Sequence, residues 1–349
     1  MMKTEYLPIR VIGGGLAGLT LGIALRNRNV PVVVCEAGRY PRHRVCGEFI
    51  SGRGIEVLHR LGLWDMLVAH GGLQEVRTVA FHADDVKGAT VSLPHIAWSI
   101  SRYDLDALLA DELVARGGEL MTGHRERATS GKGVVLAAGR NPGRESSAYR
   151  LLGFKVHARG VDLTSDLEMH HTDNSYVGLC RLSHGRVNIC GLVRTRRPVS
   201  DLRSNWNQWV LQQGGRRLQQ QLMSAELDPD SFCVVAGLSY LEPESLQSDG
   251  LVIGDAMHKI PPITGNGMSM AIESAELAAL CLTDYSSGAQ TWDETQKRLR
   301  TGLSNAFQRR LFWAGKLQRF LLGSRSQWSV RMMVRASGWL VRPLFHLTR

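Results

Sequence analysis

Residues 10–20 read Arg-Val-Ile-Gly-Gly-Gly-Leu-Ala-Gly-Leu-Thr. This stretch predicts a buried strand, a tight glycine turn and the first turn of a helix, and its glycines at 13, 15 and 18 have the spacing of a dinucleotide-binding motif. We expect Gly13 to permit the turn, Gly15 to let the backbone approach a pyrophosphate, and Gly18 to let the helix pack closely on the strand. The helix N-terminus would then present free N–H groups to phosphate oxygens.

A second predicted strand supports this interpretation. Val30–Cys35 is an apolar run that ends in Glu36, 18 residues after Gly18. In dinucleotide sites, a carboxylate at about this distance binds a ribose hydroxyl. The alternative is an ordinary βαβ unit that holds no ligand. We favour the nucleotide site, because the glycines, the strand order and the acid all agree with it.

The composition is that of a globular protein. The chain has 349 residues, of which 44% are hydrophobic, enough for a real core in one large or two modest domains. No run reaches the roughly 20 apolar residues that a membrane-spanning helix needs. The first strand is expected by about Leu7, which leaves no room for a signal peptide. The six cysteines are scattered and form no C-x-x-C pair, which indicates reduced thiols and a cytoplasmic location.

The positive charge is concentrated at the C-terminal end. The chain has a net charge of +10, but residues 295–349 contain twelve lysines and arginines and no Asp or Glu, which leaves −2 for residues 1–294. Large apolar residues such as Phe307, Trp313 and Phe320 interleave with these cations. The tail therefore fits a helical surface on an anionic membrane, or a helical cap packed on the rest of the chain or on a second subunit. We expect no nucleic-acid partner, because no recognised binding fold accompanies the charge.

Later segments predict a sheet and a second cofactor-binding turn. From about Leu151 to Val193, strand-like runs recur at intervals of about ten residues, which predicts an antiparallel sheet that can form the floor of a substrate cavity. The next apolar strand ends in Gly254-Asp255, where a carboxylate can reach a ribose or ribityl hydroxyl. A turn over Pro262–Met268 then precedes a long helix predicted over Ser269–Leu282. Its first N–H groups are suited to a phosphate or to the carbonyl edge of a flavin.

Three separated patches carry a resemblance to a known family. They are the glycine stretch with Glu36, Arg102 at the start of a predicted helix, and Gly254-Asp255 with the Pro262–Met268 turn. Together they resemble the FAD-dependent oxidoreductases of the p-hydroxybenzoate-hydroxylase fold. That superfamily contains aromatic monooxygenases, flavin-dependent halogenases and geranylgeranyl reductases. The resemblance extends over roughly residues 5 to 283 and implies FAD as the cofactor.

The resemblance also implies an α/β (α+β) fold in three parts. Residues 1–75, 95–150 and 235–285 would form a discontinuous, Rossmann-like FAD-binding domain. Residues 76–94 and 151–234 would form an inserted antiparallel-sheet domain that binds substrate. Residues 286–349 would form a basic C-terminal helical region.

The same resemblance implies where FAD lies. The ADP half is expected near Gly15 and Glu36, the ribityl chain near Asp255, and the flavin ring near the Pro262–Gly267 turn. The predicted cofactor contacts are Gly13, Gly15, Leu16, Ala17, Gly18, Glu36, Ala37, Arg44, Cys46, Gly47, Arg102, Ala138, Gly139, Gly254, Asp255, Pro262, Gly265, Asn266, Gly267 and Met268.

Three residues are candidates for catalysis, namely Cys46, Glu48 and His258. The first two belong to a Cys46-Gly47-Glu48 loop that resembles the geranylgeranyl-reductase branch, in which this loop lies beside the flavin ring. Glu48 would donate or accept a proton, and His258 would stabilise the reduced, anionic flavin by positive charge. The alternatives are a packed core thiol for Cys46, a helix-start charge for Glu48 and a solvated turn for His258.

Polar residues of the predicted sheet are candidates for contacts with substrate: Glu168, His170, Tyr176 and Asn188. Strand register decides which of them face a cavity. The histidines and cysteines of this region match no tetrahedral zinc spacing, so we predict no metal site.

Two departures from the family pattern bear on the reaction. The family usually has Asp-Gly where this chain reads Ala138-Gly139, and in the hydroxylases that Asp-Gly serves both FAD and NAD(P)H. The change predicts an external electron donor, such as a flavin reductase or a ferredoxin. Residues Tyr176–Leu182 lack both the Trp-x-Trp-x-Ile-Pro motif of the halogenases and the Trp and Phe-Pro motif of the geranylgeranyl reductases, so we do not expect halogenation.

We therefore predict an FAD-dependent monooxygenase that acts on an apolar aromatic, polyketide-like or lipid-like small molecule in secondary metabolism. It would be cytoplasmic, with a peripheral position on the inner face of the membrane if the tail binds lipid. The first alternative is a reductase or dehydrogenase of C=C bonds in an isoprenoid or polyene, which the Cys46-Gly47-Glu48 loop favours. The second is a flavin-bound sensor or scaffold without turnover.

Overall fold

A parallel sheet of five strands carries the glycine-rich stretch. The computed structural model describes residues 6–126, 131–139, 150–195, 205–236, 238, 250–257, 260–321 and 327–335. The strands lie in the order β13-β7-β1-β2-β6, and they are β1 (Ile9–Ile12), β2 (Val32–Glu36), β6 (Glu119–Thr122), β7 (Val134–Leu136) and β13 (Leu251–Val252). β1 pairs with both β2 and β7, so the glycine turn leaves the carboxyl end of the central strand. In open α/β sheets, ligands bind at that edge.

Three helices pack around this sheet: α1 (Leu16–Arg26), α4 (Arg102–Ala115) and α7 (Gly267–Ser286). Every residue of α1 from Leu16 to Leu25 is buried, because α1 lies between the strands, α4 and α7. The shorter helices α2 (Arg53–Arg60) and α3 (Trp64–His70) follow β3 (Phe49–Ile50). The helix predicted over Ser269–Leu282 is α7, which begins two residues earlier and ends four residues later.

The second sheet has eight strands, in the order β12-β8-β11-β10-β9-β4-β5-β3. Besides β3, its members are β4 (Gln74–Ala83), β5 (Val86–Ser99), β8 (Arg150–Arg159), β9 (Leu167–His171), β10 (Ser175–Arg181), β11 (Val187–Thr195) and β12 (Glu226–Val235). All its pairings are antiparallel except that of β4 with β9. The predicted fold class, a parallel nucleotide-binding sheet with an antiparallel sheet, is confirmed. The domain boundaries stay a prediction, and β3 and the end of β5 join the antiparallel sheet from within segments assigned to the FAD-binding domain.

Strand β8 has two faces of opposite character. Phe154 and Val156 face an apolar cluster with Trp209 and Leu218, which come from α5 (Trp206–Leu211) and α6 (Gly215–Leu222). Because side chains alternate along a strand, residues at odd positions point the other way. The buried Lys155 therefore lies on the face away from this cluster, and the polar groups described below contact it there.

Two helices close the described part of the chain. α8 (Trp292–Leu321) joins the core of the parallel-sheet domain through Leu299, Leu303 and Phe307. α9 (Gln327–Arg335) packs against β4 and β5, and its Val330 and Val334 are buried there. Among the residues described, no helix has the length and apolar character to cross a membrane.

Candidate functional site

The glycine turn has the shape that a pyrophosphate site requires. Gly13 has φ +109°, and a Cβ atom there would lie 2.4 Å from the carbonyl oxygen of Ala137. A Cβ at Gly18 would lie 1.9 Å from the carbonyl oxygen of Gly13, so neither position accepts a side chain. At Gly15, by contrast, a Cβ would meet no atom within 4 Å. This open space lies at the N-terminus of α1, where N–H groups attract anions, so the turn fits the phosphates of FAD.

Glu36 stands beside this turn at the end of β2. Its carboxylate accepts hydrogen bonds from the backbone N–H groups of Gly14, at 2.9 Å, and Gly38, at 2.8 Å. Burial opposes ionisation, but the Gly38 N–H and the guanidinium groups of Arg42 and Arg44 hold the pKa of Glu36 below its usual value. Glu36 is therefore an ionised acid next to the open turn, in the position expected of a ribose-binding carboxylate.

A buried acid fixes the two arginines predicted to contact FAD. Both carboxylate oxygens of Asp106 accept hydrogen bonds from Arg102, each at 2.7 Å. Arg44 Nε donates to the same carboxylate at 3.1 Å, and Arg44 also lies 3.5 Å from Glu36. Burial alone would lower the pKa of Arg102, but the carboxylate of Asp106 raises it above its usual value. Asp106 thus fixes the position of both guanidinium groups, and their contact with FAD stays a prediction.

Glu48 is enclosed in a polar cluster between the two sheets. Its carboxylate lies 2.7 Å from His157 Nε2 and 3.2 Å from Lys155 Nζ, and it accepts the Arg102 backbone N–H at 2.9 Å. Glu48 and Lys155 are both completely buried. Burial opposes ionisation, but the imidazole and the ammonium group hold the pKa of Glu48 below its usual value. Glu48 also has φ +56°, a conformation that is uncommon outside glycine and persists where the surroundings impose it.

His43 completes this cluster. An ammonium group can only donate, so Lys155 Nζ donates to His43 Nδ1, which lies 2.9 Å away. Burial, reinforced by the charge on Lys155, lowers the pKa of His43 to about 4, so this imidazole is neutral at pH 7. Its ring stacks on Tyr103 at 4.5 Å between centroids. The cluster thus joins the loop after β2, the start of α4 and strand β8.

Cys46 stands next to Glu48 on the same loop. Its sulfur accepts a hydrogen bond from the Glu48 N–H at 3.4 Å, and its carbonyl oxygen accepts one from Asn188 Nδ2 at 2.9 Å. Burial raises the pKa of the Cys46 thiol, so it is protonated at neutral pH. A Cβ at Gly47 would meet nothing within 4 Å, so the backbone there borders open space. Of the four predicted substrate residues, Asn188 is the one with a hydrogen bond to this loop among the contacts described.

The two parts of the third patch converge on the same region. A Cβ at Gly254 would lie 2.8 Å from the Cβ of Ala17, so the turn after β13 that carries Asp255 meets the start of α1. On the other side, Ser269 Oγ donates to the Ser51 carbonyl oxygen at 2.7 Å and accepts the Ser51 N–H at 3.1 Å. These bonds tie the start of α7 to the segment that follows Cys46.

The turn before α7 has the open backbone predicted for it. A 3-10 turn over Pro262–Thr264 ends at Gly265, which has φ +64° and approaches Phe49. Asn266 is the N-cap residue of α7, and Met268 lies in its first turn and is buried. A Cβ at Gly267 would meet nothing within 4 Å. Free space and the first N–H groups of a helix thus meet at this point, as a flavin carbonyl edge requires.

The remaining predicted contacts stand at the edges of the site. Leu16 opens α1 and is buried, and Ala37 directly follows Glu36. Ala138 and Gly139 follow β7, and the Cα of Ala138 would lie 2.6 Å from a Cβ at Gly13. They offer no carboxylate beside the glycine turn. His258 lies outside the described residues.

Glu168 and His170 form a second buried cluster, together with His82. The Glu168 carboxylate lies 3.1 Å from His170 Nε2 and 3.7 Å from His82 Nε2. His82 Nδ1 accepts the Gly88 N–H at 3.3 Å, so its proton is on Nε2, on the side that faces the acid. Gln221 and Thr164 donate further hydrogen bonds to Glu168. Tyr176 is also buried, at 4% exposure. The cluster is arranged as an internal hydrogen-bond network, and a role in binding substrate stays a prediction.

The sequence analysis missed four residues that organise the site: His43, Asp106, Lys155 and His157. Three of them left a signal that could have been used. Asp106 follows Arg102 by four residues, which is the spacing of a helical ion pair. Lys155 and His157 interrupt an apolar strand at alternate positions, which indicates one polar face.

The family comparison identifies the first part of the chain. Residues 6–150 match the model of a family described as an FAD binding domain. Menaquinone reductase of Mycolicibacterium smegmatis is 28% identical, with 95% of this chain and 91% of that protein covered. Monooxygenase 1 of Arabidopsis thaliana is 22% identical, with 80% of this chain and 79% of that protein covered.

Solved structures share the fold over almost the whole chain. The flavin-dependent brominase Bmp2 has a TM-score of 0.74 at 20% identity and covers 97% of this chain and 93% of its own. PqsL of P. aeruginosa in complex with 2-aminobenzoylacetate has a TM-score of 0.71 at 17% identity. The match covers 93% of this chain and 99% of the PqsL chain. A geranylgeranyl bacteriochlorophyll reductase-like protein from Thermoplasma acidophilum has a TM-score of 0.70 at 16% identity. The match covers 94% of this chain and 90% of that protein's chain. At these identities, the likeness shows the fold alone.

We predict that Gly15→Val abolishes FAD binding but leaves the fold intact. Gly15 has φ −81° and ψ −173°, which valine adopts without strain, and its Cβ position is open, so the side chain would fill only the space expected for the pyrophosphate. Flavin content and circular dichroism measure the two effects. The control is Gly302→Val, also in open space but on α8, which should retain flavin. Full flavin occupancy in the Gly15 variant would contradict the assignment.

We also predict that stability falls as the pH drops from about 6.5 to 4. Burial lowers the pKa of His171 to about 4, whereas an unfolded imidazole titrates near 6.5, so the unfolded state binds more protons in this window. Denaturant titrations from pH 7.5 to 4.5 would measure the slope. His171→Asn should reduce it by up to about 1.4 kcal/mol per pH unit. The exposed control, His95→Asn, should not change it. An unchanged slope in the His171 variant would refute this account.

Proposed function

Because this chain is an FAD-dependent oxidoreductase of the p-hydroxybenzoate-hydroxylase fold, we propose that it is a monooxygenase acting on an apolar aromatic, polyketide-like or lipid-like small molecule. When bound, FAD supplies the two-electron chemistry, since its reduced ring can either activate O₂ or deliver a hydride. In a monooxygenase, one oxygen atom enters the substrate and the other leaves as water. The protein contributes binding, orientation and the exclusion of water.

The chain's own residues divide these tasks. The open turn at Gly15 and the acid at Glu36 would hold the ADP half of the cofactor. Arg44 and Arg102, held by Asp106, would balance the phosphate charge without having to reorganise when the cofactor binds. The segment from Cys46 to Ser51, tied to the start of α7, would form the wall beside the flavin ring.

The observation that favours oxygenation over reduction of a C=C bond is that the carboxylate of Glu48 is ionised and buried. Reduction of a C=C bond adds a hydride and a proton, so it needs an acid beside the substrate. Glu48 is predicted to donate or accept a proton, but Lys155 and His157 stabilise its ionised form and it is completely buried. A carboxylate in this state does not supply a proton at neutral pH. Transfer of oxygen to an electron-rich substrate does not depend on that proton.

Relatives support the chemical class of the substrate. The name of the Mycolicibacterium relative contains a quinone, menaquinone. A shorter match, 31% identical over 27% of this chain, is squalene epoxidase of Schizosaccharomyces pombe. A third match, 48% identical over 20% of this chain, is 3-amino-4-hydroxybenzoate 2-monooxygenase of Streptomyces cremeus. A quinone, squalene and an aromatic acid occur in these names, which supports an apolar or aromatic substrate.

The second candidate function is reduction of a C=C bond, as in geranylgeranyl reductases. The near-complete coverage of the menaquinone reductase favours it. In that case the proton donor would be Cys46, because its thiol is protonated and stands next to the open backbone at Gly47. The two functions differ in the atoms that the substrate gains.

We also propose an external electron donor and a peripheral membrane location. Since Ala138-Gly139 lacks the acid that serves NAD(P)H in the hydroxylases, a flavin reductase or a ferredoxin would supply the electrons. The basic C-terminal region supports a cytoplasmic enzyme placed peripherally on the inner face of the membrane.

The reaction is tested by the mass of the product. With FAD reduced by dithionite and then exposed to ¹⁸O₂, we predict that a long-chain alkyl phenol gains one ¹⁸O atom, and that ¹⁸O-labelled water gives no label. Cys46→Ser should then retain oxygenation, as should the control Cys281→Ser on α7. A gain of two hydrogens by an isoprenoid quinone, lost in the Cys46 variant but kept in the control, would instead establish the reductase.

The electron donor is tested by the rate of flavin reduction. NADPH alone should bleach the flavin slowly, and dithionite should bleach it quickly, in stopped-flow absorbance measurements. Ala138 is exposed, so Ala138→Asp restores the acid without a steric clash. A charged hydrogen bond to the nicotinamide should raise the NADPH rate about tenfold. Fast, saturable reduction of the unmodified protein by NADPH would exclude the need for a separate donor.

A further inference from the structure

Helix α8 has two apolar faces, of which one is buried in the protein. Leu303, Phe307, Ala314 and Leu321 are buried on the inner face. On the same face, Arg310 makes two hydrogen bonds to the buried carboxylate of Glu273 on α7, at 3.0 and 2.8 Å. This ion pair fixes the rotation of α8 about its own axis, so the opposite face must point outward.

The outward face is aromatic and basic. Phe312, Phe320 and Trp313 are exposed to 53%, 40% and 36%. The ammonium group of Lys316 lies 4.5 Å from the ring centroid of Phe312 and 5.7 Å from that of Trp313. With Arg309, which is also exposed, these residues fall within an arc of about 100° at 3.6 residues per turn. We call Arg309, Phe312, Trp313, Lys316, Arg319 and Phe320 the outer face of α8.

The charge of the outer face distinguishes it from the rest of the tail. Three other cations of the C-terminal region have acidic partners: Arg298 pairs with Asp284, Arg310 with Glu273 and Arg331 with Asp84. The outer face is different, because its Lys316 lies against two exposed aromatic rings and Thr295–Arg349 contains no acidic residue. Exposed aromatics among cations on one helix face are typical of helices that lie in the headgroup region of an anionic bilayer.

We infer that the outer face of α8 binds the surface of an anionic lipid bilayer. The inference rests on the proposed peripheral location but not on the reaction. Phe312, Trp313 and Phe320 enter the boundary between headgroups and acyl chains, and Arg309, Lys316 and Arg319 contact the phosphates. Since the inner face holds α8 to α7, the bilayer would bind a helix that is already folded and oriented. An apolar substrate could then enter the enzyme from the lipid.

The test is sedimentation of the full chain, loaded with FAD, with vesicles of phosphatidylcholine alone or with one quarter phosphatidylglycerol. We expect binding to the anionic vesicles at low salt and release at high salt. Arg309→Gln/Lys316→Gln/Arg319→Gln should weaken binding at least about tenfold, since each cation near an anionic surface contributes about fivefold. The matched control, Arg125→Gln/Lys132→Gln/Arg216→Gln, removes three exposed cations elsewhere and should bind like the unmodified protein.

A second pair of variants tests the aromatic contact. Phe312→Ser/Trp313→Ser/Phe320→Ser should lose binding, whereas Val68→Ser/Val114→Ser/Met223→Ser, which alters exposed apolar residues on other elements, should keep it. Lipids brominated on the acyl chains should quench the fluorescence of Trp313, and Trp313→Phe should bind but lose that part of the quenching.

Three outcomes would overturn the inference. If the unmodified protein stays in the supernatant at low salt, both this inference and the proposed peripheral location are wrong. If it binds but neither outer-face variant weakens binding, the protein is peripheral but the outer face of α8 is not the surface that binds lipid. If light scattering shows a dimer that the outer-face variants dissociate, and vesicles do not compete with it, the face is an interface between two copies of the chain. Turnover is not measured in any of these arms, so their failure is independent of the proposed reaction.

Discussion

The buried carboxylate of Glu48 is the interaction on which the site depends. Moving a carboxylate from water into a protein interior costs several kcal/mol, and the cost is offset only where cations and hydrogen-bond donors surround it. Lys155, His157 and the backbone N–H of Arg102 do so here. They belong to strand β8 and helix α4, whereas Glu48 belongs to the loop after β2. One charge therefore holds the nucleotide-binding sheet, its helix and the antiparallel sheet together at the place where the cofactor and the substrate are expected to meet.

This arrangement changes the role of the Cys46-Gly47-Glu48 loop. A loop that carries catalytic groups must be held in position, and here the carboxylate of Glu48 holds it from within while the backbone of Gly47 borders open space. In the proposed function Glu48 is a positioning residue, and its left-handed backbone conformation is held by its partners. The second acid cluster, around Glu168, is similarly enclosed, and its partners also belong to the antiparallel sheet.

Much of the fold could be predicted from sequence, because its signals are local. Gly13 has the positive φ that its place in the motif indicates, Gly18 leaves no room for a side chain, and Gly15 borders open space. The position of Glu36 follows from the order of the strands. The site was harder to predict, because its partners are distant in the chain: Lys155 and His157 lie more than 100 residues from Glu48. No periodicity links such residues. Strand register, which the sequence leaves open, also decided that Asn188 meets the Cys46 loop while Glu168 and His170 meet His82.

The proposed reaction requires that the turn at Gly15, Glu36 and the segment after β13 hold FAD. The most direct test is to denature the purified protein by heat and to identify and quantify the released flavin by chromatography. The account predicts FAD in an amount equimolar with the chain, because the site provides both a pyrophosphate-binding turn and a ribose-binding acid. Release of FMN, or the absence of flavin together with no rise in melting temperature on adding FAD, would contradict it.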